Sequence, residues 1–248
     1  MQHVLPLVLA GLLAGTMNAV AGGGSFVSFP VMVLAGLPPV AANASSTVAL
    51  FPGTMASTWA YRDSLRGVAG ISMKVLLPIS LAGGSVGAIL LLETPGGVFD
   101  NVIPWLLLLA TLTFAGGRHV GEWLRRYVTI GRGAFLVIQF ILSIYGGYFG
   151  GAVGLMMMAV WTLIDAAELK AMAAPRALLV TATNGAAVLC FAITGSVRWP
   201  ETLAMMVSAI AGGYYGARFA RHLPPAALRW FVVALSGTVT IAFFLRKY

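Results

Sequence analysis

Two clusters of glycine and uncharged polar residues interrupt an otherwise apolar chain, and each is followed by the start of a helix-like segment. A glycine turn leading into a helix presents free backbone N–H groups and the positive end of the helix dipole, which suit a small anion. Arg176 can hold an oxyanion through two parallel hydrogen bonds. The predicted substrate-binding residues are Asn18, Gly22, Gly23, Gly24, Ser25, Ser45, Ser46, Thr47, Gly150, Gly151, Gly154, Arg176, Thr181, Thr183 and Asn184.

Structural roles for the same residues stay open at this stage. Serine and threonine in membrane helices often bond only to their own backbone or to a neighbouring helix. Arg176 can equally extend its charged end towards the cytoplasmic interface while its alkyl chain stays in the apolar region. The sequence alone does not separate these roles from ligand binding.

Enzymatic chemistry finds little support in the sequence. The three histidines lie at segment ends or in connections, and no HExxH motif occurs. The single cysteine, Cys190, excludes an intramolecular disulfide and a cysteine-based metal cluster. We therefore predict that the chain is not an enzyme and uses neither a metal ion nor a cofactor. No Asp or Glu falls clearly inside an apolar segment, so a coupling proton or other coupling ion stays undetermined.

The composition predicts a polytopic membrane protein. Charged residues make up 9% of the chain and the mean hydropathy is +0.92, whereas soluble domains carry roughly 25% charged residues. The net charge of +8 does not indicate nucleic-acid binding, because the basic residues lie in short connections where they set topology and meet anionic lipid. The first residues predict a retained membrane segment and not a cleaved signal peptide.

Apolar segments divide the chain into two similar halves. Most are close to the roughly 20 residues needed to cross a bilayer, but the first segment of each half would reach about 50 Å as one helix. Glycine interrupts both, so we predict two shorter helices that meet at a turn within the membrane. The segments are 4–36, 40–61, 71–92, 102–117, 133–164, 172–195, 201–217 and 226–245.

The halves also resemble each other residue by residue. A shift of 132 positions places Gly15, Gly22 and Gly53 on Gly147, Gly154 and Gly185. Duplicated halves with glycine-broken apolar segments at matching places are typical of secondary transporters. We therefore predict repeats over 1–117 and 133–248, joined by a basic cytoplasmic linker over 118–132.

The distribution of Lys and Arg favours opposite orientations for the two halves. If each broken helix pair is re-entrant, all basic residues lie on the cytoplasmic side except Arg198, Arg246 and Lys247. If each pair crosses the membrane, Arg218, Arg221 and Arg229 are left outside, which the positive-inside rule disfavours. The predicted fold is an all-α membrane protein of two inverted repeats, each with a re-entrant helix pair and three spanning helices.

These motifs resemble those of the sulfite exporter TauE/SafE family. The resemblance rests on the stretch from Ala14 to Ser25 followed by Pro30, on Ala42–Thr47, on the glycines at 146–154 and on Ala82–Ala88. It covers essentially the whole chain and implies a permease of a prokaryotic cytoplasmic membrane that moves small sulfur-containing anions such as sulfite or sulfonates, often outward. The second half departs from the first, with Leu155–Met158 after its glycines and Pro175-Arg176 at its helix start.

Residues and resemblance together predict a secondary transporter for a small anion, embedded in the lipid bilayer. Rocking of the repeats would expose a site near the midplane to each side in turn. A passive anion channel is the nearest alternative. A membrane subunit that binds a partner without transport is the second.

Overall fold

The computed structural model describes residues 4–124, 130–164, 172–220 and 225–247. The described residues form ten α-helices, one short 3-10 turn at Arg62–Ser64 and no β-strand. The helices are α1 (Val4–Ala21), α2 (Ser25–Leu34), α3 (Pro39–Tyr61), α4 (Met73–Glu93), α5 (Gly96–Leu124), α6 (Arg132–Tyr148), α7 (Val153–Trp161), α8 (Ala173–Ile193), α9 (Trp199–Ala220) and α10 (Pro225–Lys247).

Several helices have the length and the apolar surface of membrane spans. Met73–Glu93, Gly96–Gly116 and Ala173–Ile193 are each long and apolar enough to cross a bilayer. Large apolar side chains also cover the outside of the bundle, as at Ile193 and Val207, which are 84% and 69% exposed. An apolar exterior of this kind faces lipid and not water, so the chain is a multi-pass membrane protein.

Both long apolar segments are interrupted at the predicted glycine clusters. Helix α1 ends at Ala21 and α2 begins at Ser25, while α6 ends at Tyr148 and α7 begins at Val153. Gly22 and Gly150 have φ angles of +74° and +79°, which glycine adopts without the steric cost that a side chain would impose. Each glycine therefore lets the chain leave one helix and start the next within a few residues.

Helix α5 extends into the region predicted as the linker. A segment ending at 117 is expected from the sequence, but α5 continues to Leu124. Residues 125–129 of the linker lie outside the described ranges. The basic segment thus begins as part of a helix, because neither proline nor a glycine turn interrupts it between 118 and 124.

Three pairs of helices pack with their backbones in close approach at glycines: α1 with α9, α4 with α6, and α4 with α8, where Gly84 lies against the backbone of Thr183. In α1 and α9, Gly11 lies against Ser208, and Thr16 Oγ1 donates to the carbonyl of Gly212 at 2.9 Å. The residue numbers rise together, so α1 and α9 run parallel. Small residues at such positions allow helices in a membrane to approach closely.

Helices α4 and α6 form the second such pair. Gly83 lies against the carbonyl of Phe140, and Gly87 lies against the backbone of Tyr148. These helices are therefore also parallel. The glycines of the block Ala82–Ala88 therefore serve helix packing.

Two other helix pairs that meet within the bundle are antiparallel. Between α3 and α8, Phe51 lies against Gly185 and the hydroxyls of Thr58 and Thr181 are 2.8 Å apart. Between α5 and α10, the Thr111 and Thr240 hydroxyls are 3.0 Å apart and the rings of Trp105 and Phe244 lie 5.3 Å apart. Helices α3 and α8 bring the middle of each half together.

Candidate functional site

A small cavity lies where the two helix breaks face α3 and α8. Its volume is about 70 Å³, several times the space that one buried water requires. Eight of the fifteen predicted site residues line it, contributed by both halves of the chain. The lining residues are Asn18, Gly22, Ser25, Thr47, Leu50, Thr54, Ser57, Gly150, Val153, Gly154, Leu155, Arg176, Ala177, Val180 and Asn184.

Two helices begin at this cavity. Ser25 is the first residue of α2, and Gly154 is the second residue of α7. The backbone N–H groups of Ser25 and Gly154 donate to no backbone carbonyl within the described ranges. Unpaired N–H groups and the positive ends of two helix dipoles therefore border one cavity, an arrangement that stabilises negative charge.

Arg176 supplies a full positive charge to the same cavity. It is half-buried near the start of α8, where proline occupies the preceding position. Within the described part of the chain its guanidinium forms neither an ion pair nor a hydrogen bond. A cation within a membrane bundle is costly unless it is paired or solvated. This arginine is thus placed to bind an anion that enters the cavity.

Asn184 lies two turns beyond Arg176 on the same face of α8. Its Oδ1 atom is buried and has no hydrogen-bond partner among the described residues. An unsatisfied buried polar atom costs roughly 1–3 kcal/mol. Asn18, at the end of α1, likewise makes no side-chain hydrogen bond with a described residue. The cavity therefore holds more polar groups than the protein itself satisfies, which is common at ligand sites.

One wall of the cavity comes from a single face of α3. Thr47, Leu50, Thr54 and Ser57 recur at helical spacing along it. The sequence predicts Thr47 as a site residue but not Thr54 or Ser57. Successive steps of three and four residues from Thr47 along the same helix face lead to both, so this spacing would have identified them. All three hydroxyls donate to carbonyls of their own helix, so only their oxygen lone pairs remain for a ligand.

Four predicted polar residues make their contacts away from the cavity. The Ser45 hydroxyl accepts from the backbone N–H of Arg198 at 2.9 Å, and the Ser46 and Ser28 hydroxyls are 2.6 Å apart. On α8, Thr181 faces α3 and donates to the carbonyl of Thr54 at 2.9 Å. Thr183 is fully buried against Gly84 of α4. These side chains join helices to one another.

Three predicted glycines also do not line the cavity. Gly23 lies against the ring of Phe114, Gly24 lies against the carbonyl of Ala14, and Gly151 lies against the ring of Phe149. Their small size allows close packing around the breaks. Of the six predicted glycines, Gly22, Gly150 and Gly154 border the cavity itself.

A larger space adjoins the cavity and is called the vestibule here. It lies between α1, α3 and α9, has a volume of about 680 Å³ and shares Asn18, Leu50 and Ser57 with the cavity. It extends along α3 to Tyr61, the last residue of that helix. Most of its wall consists of small residues: Gly15, Ala19, Ala49, Gly53, Ala56, Ala60, Ala209 and Gly213.

Comparison with known proteins identifies the family. The profile of the sulfite exporter TauE/SafE family matches residues 7–243. The chain belongs to this family. A probable membrane transporter protein of Sinorhizobium, ORF9, is 30% identical over 224 residues, which cover 88% of this chain and 84% of the relative. The chain is therefore a membrane transporter.

Two further relatives are similar over nearly the whole chain. A probable membrane transporter protein of Haemophilus influenzae is 27% identical, covering 94% of this chain and 91% of its own. The probable membrane transporter protein YfcA of Escherichia coli K12 is 24% identical, covering 94% and 87%. No solved structure matches the chain.

Proposed function

We propose that this transporter carries a small sulfur-containing oxyanion, such as sulfite or an organosulfonate, and binds it in the cavity between the two helix breaks. The observation that carries the proposal is the half-buried Arg176, which has no ion pair or hydrogen bond among the described residues and lies beside the starts of α2 and α7. Sulfite and sulfonate groups present several oxygens as hydrogen-bond acceptors. A guanidinium and backbone N–H groups supply the matching donors.

The proposal includes two inverted repeats that comprise α1–α5 and α6–α10. In these repeats α1 corresponds to α6, and α4 corresponds to α9. The pair of α1 and α9 therefore corresponds to the pair of α6 and α4, and the helices of both pairs are parallel. The corresponding helices α3 and α8 are antiparallel, as are α5 and α10. This pattern of directions supports a two-fold axis in the membrane plane, with α1–α2 and α6–α7 as re-entrant pairs.

The proposed topology places the vestibule on the cytoplasmic side of an inner membrane. Tyr61 at its far end is followed by Arg62, Arg66 and Lys74, which the positive-inside rule assigns to the cytoplasm. Arg198 and Arg246 would face the opposite side. The site then communicates with the cytoplasm in this conformation, as expected of an exporter that takes up its substrate there before alternating access.

Purified protein in proteoliposomes tests the proposal directly. We expect saturable uptake of labelled sulfite, with counterflow when the vesicles are loaded with unlabelled sulfite. A current that rises without saturation would indicate a channel instead. Absence of any flux, in vesicles whose protein remains folded, would favour a non-transporting subunit.

The Arg176→Gln variant tests the site. Loss of a charge-assisted hydrogen bond should weaken apparent sulfite affinity by roughly 10- to 100-fold. The affinity of Arg176→Lys should lie between those of the wild-type protein and Arg176→Gln, because lysine keeps the charge but cannot bind bidentately. Arg198→Gln is the matched control, since Arg198 is exposed and lies outside the cavity. Undiminished affinity in Arg176→Gln would remove this cavity as the anion site.

A further inference from the structure

The cavity and the vestibule differ in chemistry as well as in size. The cavity of about 70 Å³ contains Arg176 and the unsatisfied Asn184 oxygen, while the vestibule of about 680 Å³ is lined mainly by alanine and glycine. The two spaces meet at Asn18, Leu50 and Ser57, a boundary called the throat below. An anion bound at Arg176 would therefore have the largely apolar vestibule on the other side of these three residues.

Glycines in this region fall into two groups that differ in the room around them. Gly15 and Gly212 touch the backbone of the partner helix, so an added methyl would collide with it. Gly53 differs, because a methyl there would meet only Asn18 Nδ2, at an ordinary contact distance of 3.7 Å. Helix packing thus demands glycine at 15 and 212 but does not demand it at 53.

Glycine at position 53 carries a cost that packing does not explain. It lies within α3, and glycine in a helix is roughly 1 kcal/mol less favourable than alanine. Gly53 is exposed to the vestibule and lies beside Asn18 at the throat. Because glycine has no side chain, position 53 leaves free space next to the anion-binding cavity.

We propose that Gly53 is a specificity-determining residue, which admits the organic substituent of an anion whose charged group binds at Arg176. The oxyanion group occupies the cavity, and its carbon chain passes the throat into the vestibule. Gly53 then sets the length and bulk that the transporter accepts. This inference rests on the proposed anion site and adds its limit on substrate size.

A hinge function for Gly53 makes a different prediction. Pro52 precedes it within α3, and a Pro-Gly pair can bend a helix. A hinge would affect every substrate alike, because it acts on the motion of the protein. A size filter acts on long substrates and spares short ones.

Counterflow with alkanesulfonates of increasing length separates these functions. Proteoliposomes are loaded with sulfite, methanesulfonate or propanesulfonate, and exchange with external labelled sulfite is measured. The wild-type protein should exchange all three. Gly53→Leu should keep sulfite exchange within about two-fold and lose propanesulfonate exchange by at least roughly ten-fold, since one methylene is worth 10-fold or more in a fitted pocket.

Two further variants complete the test. Gly53→Ala removes the glycine backbone freedom but adds one methyl only. If Gly53 is a size filter, the loss of exchange should be smaller than in Gly53→Leu and should still grow with substrate length. If Gly53 is a hinge, exchange of all anions should fall equally. Gly237→Leu on α10 is the matched control, since no atom lies within 4 Å of an added methyl there. Equal losses for sulfite and propanesulfonate in Gly53→Leu, or no loss, would overturn the inference. Wild-type exchange of sulfite without any alkanesulfonate would overturn it too, while leaving the anion site intact.

Discussion

The alkyl chain of Arg176 packs directly against Gly154, so that a methyl group on Gly154 would lie 3.2 Å from Cγ and 3.3 Å from Cδ. This contact fixes the path of the arginine side chain past the start of α7. The same methyl would lie 3.1 Å from Cγ2 of Val180, so a side chain at position 154 crowds both Val180 and the alkyl chain that carries the guanidinium.

We expect Gly154→Ala to weaken sulfite affinity by roughly 10-fold, because small displacements of a binding group are costly, even though the positive charge is kept. Gly185→Ala is the control, since its methyl would be comparably crowded, 3.3 Å from the ring of Phe51, but away from Arg176. Half-saturating sulfite concentrations in proteoliposomes provide the comparison. Equal affinities in both variants would mean that this contact does not position the arginine.

Ser46 and Thr47 are adjacent in sequence but contact different surroundings. Ser46 bonds to Ser28 of α2, whereas Thr47 lines the cavity. We expect Ser46→Ala to lower the unfolding free energy by about 1 kcal/mol, because a buried hydrogen bond is lost, with sulfite affinity unchanged. Thr47→Val should change affinity more than stability. Thermal unfolding in detergent and transport assays measure the two effects, and the opposite pattern would contradict the assignment.

Gly87 on α4 tests the close packing with α6. An added methyl would collide with the carbonyl of Ile144. We expect Gly87→Ala to destabilise the protein by roughly 1–3 kcal/mol through overpacking, despite the better helix propensity of alanine. Gly237→Ala should be neutral or slightly stabilising, because its surroundings are open. Stability of Gly87→Ala at or above the wild-type value would argue against this helix contact.

A buried amide joins α6 to the end of α7. The indole N–H of Trp161 donates to Gln139 Oε1 at 3.1 Å, and Gln139 Nε2 donates to the Ser80 hydroxyl at 3.1 Å. Gln139→Leu should cost roughly 1–3 kcal/mol because the Trp161 N–H loses its acceptor. The double variant with Trp161→Phe should recover part of that loss, since no unpaired donor remains. Strictly additive losses in unfolding measurements would exclude this coupling.

The helices and their breaks could be predicted from the sequence because local signals determine them. Apolar segments of spanning length and glycine runs at 22–24 and 146–154 locate most helices and both interruptions. The end of α5 at Leu124 lies beyond the apolar segment predicted to end at 117, since charged residues mark the edge of a membrane span and not the end of a helix. Two orientations of the halves explain the charges almost equally well, so inversion stays a proposal.

The candidate site could be predicted only in outline, because side-chain direction depends on tertiary packing. Consecutive helix residues point about 100° apart, so Ser45, Ser46 and Thr47 face Arg198 just before α9, Ser28 of α2 and the cavity respectively. No composition signal distinguishes them. The vestibule was not predicted at all, since its walls come from α1, α3 and α9, which are far apart in sequence.

The parallel pair α1 and α9 has a mechanical consequence. Gly15 lies against the backbone of Ala209, and Gly212 lies against that of Leu12, so sliding one helix along the other would bring side chains of neighbouring residues against the partner's main chain. Each pair of this kind combines one helix from each half, as α4 and α6 also do. We therefore expect each close-packed pair to move as one unit during transport, so that the moving bodies would combine helices from both sequence halves.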